Sequence, residues 1–257
     1  MQVGIFGNWQ EMIGINPTFS GMTLLNTARN LKTWWNFEDF ISPFTSSAET
    51  SAEINGPWTS YFSGAGAALA GVAGTAARPG ILGFSTGTTA AGLASILGGY
   101  TFATASYLFG AGEYTIEGDI YIPNLSTAIE EYDLIFGFAD AASIAVVDGA
   151  YFLYNRAVAG ANWQACTANN SAQTLTDTGI AVTENAWIRL KIVVNADATA
   201  VRFYIDDVLV ATNVLNIPSG AGRITGPNIF IKKTVGLTAR TFNLDWVWLH
   251  FNLAVSR

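Results

Sequence analysis

Residues 113–122 read Glu-Tyr-Thr-Ile-Glu-Gly-Asp-Ile-Tyr-Ile, EYTIEGDIYI. Tyr114, Ile116, Ile120 and Ile122 point one way; Glu113, Thr115, Glu117 and Asp119 point the other. Alternation with period two marks a strand with one dry and one wet face. The pattern returns at Ile188, Leu190, Ile192 and Val194, interleaved with Trp187, Arg189, Lys191 and Val193. It returns again in AVRFYIDDVLVA, two strands around a tight turn at Asp206-Asp207. Further candidate strands lie near 81–86, 92–97, 133–139, 150–155, 228–233 and 241–251. Gly98-Gly99, Asp148-Gly149, Asn169-Asn170, Pro218-Ser219-Gly220 and Gly226-Pro227 supply the turn chemistry between them. Helix is sparse: one turn is expected at 126–131, with Ser126 as N-cap. The fold class that follows is all-β, an antiparallel two-sheet jelly-roll sandwich. The Cys–Trp–Cys core of an immunoglobulin domain is absent.

The chain has 257 residues, half of them hydrophobic, only 12% charged, with a formal net charge of −7. A typical chain carries ~25% charged residues, so part of this surface is expected to be covered by other protein, and a homo-oligomer is expected. No basic cluster exceeds Lys232-Lys233, which excludes a phosphate-binding face for nucleic acid. A single cysteine, Cys166, excludes an intrachain disulfide framework, and with one histidine, His250, it cannot build a tetrahedral zinc site. Cys166 reads as a small buried residue. Between Ile54 and Gly112 the only charge is Arg78, yet Gly, Ser, Thr, Pro57 and Pro79 interrupt every apolar run. No window of ~20 predominantly apolar residues survives, so no membrane span is expected. MQVGIFGNWQEM lacks a basic n-region followed by an apolar h-region, so no signal peptide is expected.

Two segments differ in character. Residues 1–35 carry Phe6, Trp9, Met12, Ile13, Phe19 and Leu24 without strand alternation, and GMTLLNTARNLKTWW suits a short helix. This stretch reads as an N-terminal docking arm, with residues 36–257 as the sandwich. The final strand carries Trp246 and Trp248 and is apolar on both faces. It reads as a strand covered on both sides, by the arm or by a neighbouring subunit.

PGILGFSTGTTAAGLASI, YTIEGDIYIPNLSTAIEEYDLIFGFAD and DGAYFLYNR, followed by NWQACTANN, TLTDTGIAVTENAWIRLKIVVNADATAVRFYIDDVLVATN and IKKTVGLTARTFNLDWVWL, resemble a domain type of tailed-bacteriophage virion proteins. The order W-x-x-L-x-I-x-V, F-Y-I-D-D and a last strand with Asp-Trp is similar to concanavalin A-like and laminin-G-like sandwiches. The resemblance covers about residues 36–257. It implies a jelly roll in a phage particle, with other virion proteins (major capsid or tail proteins) as partners. Head decoration on the capsid exterior is the expected role. A tail or fibre component and an adhesin that binds host surface glycans are the alternatives.

Glucanases of this fold class carry E-x-D-x-x-E on one strand. Glu117 and Asp119 match its first half, but position 122 is isoleucine, so no catalytic pair is expected. For sugar binding without chemistry, Trp163 with Asn162 and Gln164 is the candidate platform, read as a loop near Tyr154. Asp140, Asp148, Asp177, Asp206 and Asp207 form no dense calcium loop, so neither metal nor cofactor is expected.

Overall fold

The computed structural model describes residues 33–40, 45–46, 58–98, 107–156 and 161–254. The strands are β1 (Thr33–Glu38), β2 (Thr45–Ser46), β3 (Trp58–Ser63), β4 (Ala67–Val72), β5 (Ile81–Thr86), β6 (Leu93–Gly98), β7 (Gly112–Tyr121) and β8 (Tyr132–Ala139). They continue with β9 (Gly149–Asn155), β10 (Asn162–Asn169), β11 (Ala172–Ala181), β12 (Trp187–Val194), β13 (Val201–Ile205), β14 (Val208–Asn213), β15 (Gly226–Lys233) and β16 (Thr241–Leu253). One sheet of nine strands runs β14-β13-β12-β7-β16-β5-β4-β2, with β1 also paired on β16. A second sheet of seven strands runs β11-β10-β9-β8-β15-β6-β3. Every named pairing is antiparallel, so the molecule is an antiparallel jelly-roll sandwich of the concanavalin A-like type.

The core fills the space between the sheets. From the nine-stranded sheet come Tyr114, Ile116 and Ile120, then Leu190, Ile192, Val194, Phe203, Leu249 and Phe251; Leu134, Phe136, Phe138, Phe152 and Trp163 face them. The period-two pattern of 113–122 therefore does what strand geometry requires. Its one inward position without a side chain, Gly118, has a structural cause: a Cβ there would sit 2.7 Å from the Trp246 carbonyl oxygen and 3.1 Å from the Phe136 ring.

A second apolar cluster lies on the other face of the seven-stranded sheet. It joins Leu93, Ile135, Tyr151, Cys166 and Phe230 with Ala142 and Val146 from the β8–β9 connection. The middle of that sheet is thus dry on both faces, which explains why β8 reads YDLIFGFA with no polar alternation and every residue buried. Cys166 is fully buried, and burial pushes its thiol up, away from reactive thiolate character.

Three expectations change. Residues 126–131 form no helical turn but a tight turn closed by a Thr127–Glu130 bridge, in which Thr127 Oγ1 accepts from the Glu130 amide. Residues 162–169 are a strand, not a loop. The arm boundary at residue 35 falls inside β1, whose Thr33–Glu38 pairs on Asn252–Val247 of β16. Phe6, Trp9, Met12, Ile13, Phe19 and Leu24 lie outside the described residues.

Candidate functional site

The polar face of β7 sits at the middle of the nine-stranded sheet, where Thr115, Glu117 and Asp119 are buried under neighbours that match its charges. Register sets Arg189 opposite Asp119 and Lys191 opposite Glu117 across β12, and Trp248 opposite Glu117 across β16. Arg189 Nε donates to Asp119 Oδ1 at 3.0 Å, and its Nη1 lies 3.2 Å from Asp207 Oδ2. Lys191 Nζ lies 3.4 Å from Glu117 Oε2. Arg78, from the β4–β5 connection, pairs with Asp119 at 3.1 Å and also with Asp245. Its guanidinium lies 4.1 Å from the centre of the Trp187 ring, and Arg189 sits 5.4 Å over Trp246.

The ladder between β16 and β7 slips between Leu244 and Val247. This bulge explains how two consecutive residues, Asp245 and Trp246, both reach the charged face. In a regular strand one of them would point into the core. Asp245 is buried, and burial raises its carboxyl above the ordinary value against the opposing pull of Arg78. Arg189 is held protonated above the usual guanidinium range, first by its hydrogen bond to Asp119.

Arg78, Asp119, Trp187, Arg189, Asp206 and Asp207 line an open cleft of about 270 Å³ on this face. Tyr121 stands beside it, its ring 5.3 Å from that of Trp187. The β13–β14 turn supplies two of the carboxylates. Asp206 and Asp207 both have positive φ, 48° and 65°, as a two-residue hairpin turn of the primed type demands. Asp206 Oδ1 accepts from the Arg189 amide at 3.0 Å, which ties the turn to β12. Five carboxylates (Glu117, Asp119, Asp206, Asp207, Asp245) thus meet three cations (Arg78, Arg189, Lys191), an excess of two negative charges.

The residues singled out from sequence for sugar binding do not form a surface. Trp163 and Tyr154 are fully buried, their rings 6.1 Å apart within the core, and Gln164 is buried as well. Asn162 is engaged by Asp177 of β11 at 3.0 Å. The cause is β10: strand alternation turns Trp163, Ala165 and Thr167 inward, so the indole braces the core and no sugar reaches it. Trp246 and Trp248 are half-buried on the charged face, where Trp246 stacks on Phe37 at 6.0 Å and Trp248 on His250 at 5.4 Å. The site itself was missed. Its signal was the charge match between Glu117/Asp119 and Arg189/Lys191, which registers only once β7 and β12 are paired. Ile122, where the glucanase pattern has its second glutamate, lies in the core. Among the described residues no group of three histidine, cysteine, aspartate or glutamate side chains is arranged to hold a metal.

Residues 77–245 match the C-terminal domain of the SO2946-like family. The chain belongs to the SO2946-like family. Its fold is similar to that of the protein of unknown function SO2946 from Shewanella oneidensis MR-1, with a TM-score of 0.65 at 14% identity over 91% of this chain and 92% of that one. Weaker likenesses include the Emp46p carbohydrate recognition domain in potassium-bound form (TM-score 0.49, 11% identity, 75% of this chain and 88% of that one). Another is the endo-1,3-beta-glucanase from Streptomyces sioyaensis (TM-score 0.46, 14% identity, 67% and 76%). No curated protein sequence matches the chain. The family match contains β5 to β15 and Arg78, Asp119, Trp187, Arg189 and the Asp206-Asp207 turn, so the whole lining of the cleft belongs to the family domain.

Proposed function

We propose that this protein is a non-catalytic carbohydrate-binding sandwich whose site is the charged, aromatic face of the nine-stranded sheet. One observation carries the reading: the Trp187 indole stands beside carboxylates and guanidiniums held planar and fixed by mutual ion pairs, in an open cleft. Arg78 occupies one face of the Trp187 indole, so a sugar's apolar C–H face meets the uncovered part of the Trp187–Tyr121 pair while its hydroxyls reach the carboxylate and guanidinium groups. Fixing these groups before binding lowers the ordering cost of association. The excess of negative charge favours neutral over acidic sugars. Glu117 and Asp119 are each committed to cations, and Ile122 removes the partner a glycosidase would need.

The setting comes from the sequence resemblance, a tailed-phage particle. There a glycan site makes the chain an attachment component recognising host glycans, in preference to the head decoration expected from sequence. Head decoration rests on that same resemblance alone, and the docking arm expected to serve it lies almost wholly outside the described residues. A glycan array tests the reading. A neutral-glycan signal that Trp187→Ala removes, in a variant of unchanged circular dichroism, supports it. A folded protein that binds nothing, or binding indifferent to Trp187→Ala, refutes it; glucan turnover lost in Glu117→Gln refutes its non-catalytic half.

A further inference from the structure

The seven-stranded sheet ends at β11, and among the described residues no strand pairs with its outer side. Its other end, β3, is shielded: Trp58, Thr59, Ser60 and Phe62 are all buried. β11 runs Ala-Gln-Thr-Leu-Thr-Asp-Thr-Gly-Ile-Ala over ten residues, each exposed or half-exposed. It carries neither lysine nor proline and its one charge is Asp177; the irregularity opposite Asn162–Gln164, with Gly179 at positive φ, bends only the end beyond Asp177 and leaves Ala172–Asp177 in regular register. Leu175 and Ile180 are 42% and 39% exposed on it. The chain leaving β14 passes under it, held by hydrogen bonds from Thr176 Oγ1 to Asn213 and from Asn216 to Thr174 Oγ1. From there it presents Val214 and Leu215, 62% and 64% exposed.

The hairpin fixes which backbone groups of β11 are free. β10 and β11 are joined by Asn170 and Ser171, both with positive φ (51° and 68°), so the flanking pair Asn169–Ala172 is hydrogen-bonded. Hydrogen-bonded pairs then alternate along the ladder: Thr174 with Thr167, and Thr176 with Ala165, point their amides and carbonyls at β10. Gln173, Leu175 and Asp177 point theirs away from the sheet.

We infer that β11 is a self-pairing edge, and that two copies of this chain join it antiparallel about a two-fold axis at Leu175. In that register Leu175 faces Leu175 of the second copy. Gln173 faces Asp177, and Thr174 faces Thr176. The free amides and carbonyls at 173, 175 and 177 meet the same groups of the second strand. No like charges meet; a register centred on Asp177 would set two carboxylates face to face. A C2 contact must be complementary to itself, and this strand is. The pairing merges two seven-stranded sheets into one of fourteen strands and covers Leu175 on one face, with Val214 and Leu215 beside the other. The glycan site lies on the other sheet, so the inference stands apart from that reading.

The test is the mass of the full chain by analytical ultracentrifugation, with two variants. Wild type sediments at twice the monomer mass. Leu175→Pro removes one outward N–H, which the β10 ladder does not use, and converts the species to monomer with unchanged circular dichroism. Leu175→Cys, oxidised mildly, gives an interchain disulfide, because residues facing each other in a hydrogen-bonded pair have Cα atoms about 5.5 Å apart. Val208→Cys, more exposed still but on β14, gives none. A monomeric wild type, a dimer that survives folded Leu175→Pro, or no cross-link in Leu175→Cys overturns the assignment. If Leu175→Pro fails to fold, the cross-link decides.

Discussion

Arg78 lies 4.1 Å over the ring of Trp187, and the same guanidinium pairs with both Asp119 and Asp245. One side chain from the β4–β5 connection thus holds together β7, β12 and the β16 bulge. Asp119 keeps Arg189 if Arg78 is removed, but Asp245, 6% exposed, loses the only ion-pair partner described for it. Arg78→Ala should cost about 1–3 kcal/mol, the range for leaving a buried polar group without its partner, read as a lower urea midpoint. Arg78→Lys should recover only part, since an ammonium cannot stack flat on Trp187 while reaching two carboxylates. A midpoint unchanged in Arg78→Ala would mean the pairs contribute nothing net.

Asp133 supplies a pH signature. It is buried on the second apolar cluster's side of β8, its Oδ2 has no hydrogen-bond partner, and burial pushes its carboxyl up to about 6 despite Lys232 nearby. The folded state therefore holds this proton to higher pH than the unfolded chain does. The Asp133 contribution to stability is lost as pH rises from roughly 4 to 6 and stays level above, each tenfold difference in proton affinity between the two states being worth about 1.4 kcal/mol. Asp133→Asn has no such titration. It should match wild type near pH 4 and exceed it at pH 7 by roughly 2–3 kcal/mol on that scale, several degrees in melting temperature. An advantage constant across pH would refute the burial argument.

Two tryptophans should respond in opposite ways. Trp163 is buried against Phe152 and Tyr154, so Trp163→Ala should cost about 3–5 kcal/mol and leave a partly unfolded protein at ambient temperature. Trp248, half-buried on the wet face against His250, should cost about 1 kcal/mol or less by area lost when changed to alanine. Thermal melts of the two variants side by side check the ranking.

The Asp206-Asp207 turn tests local backbone cost. Asp207 has φ of 65° and its ion pair with Arg189 is solvent-exposed, where such pairs are worth little. Asp207→Gly should raise stability by a few tenths to about 1 kcal/mol, measured by chemical denaturation. A loss would show that the Arg189 contact outweighs the strain.

The site was half-visible in the chain. Glu117 and Asp119 stood out as acids on one strand face, and Arg189 and Lys191 as bases on another. Nothing local joined them, because β7 and β12 are more than sixty residues apart and their register is a long-range fact. Arg78 stood out only as the lone charge between Ile54 and Gly112, with nothing to say what it pairs with. Asp245 and Trp246 were hidden by the bulge, since simple alternation puts neighbours on opposite faces. Trp163 misled for the converse reason: asparagines on both sides of NWQACTANN look like a loop, whereas β9 and β11 pair with it on either side.

Alternation determined the strands: period two over 113–122, 187–194 and 201–205 gives each one apolar face, and the polar turns between them suit short antiparallel connections. Composition determined that no disulfide closes within the chain, since it holds a single cysteine. Tertiary structure decided which faces became site, core and edge. Side-chain direction in a strand is local, but what lies opposite depends on pairing partners, on one bulge at 244–247, and on whether a second layer covers the sheet.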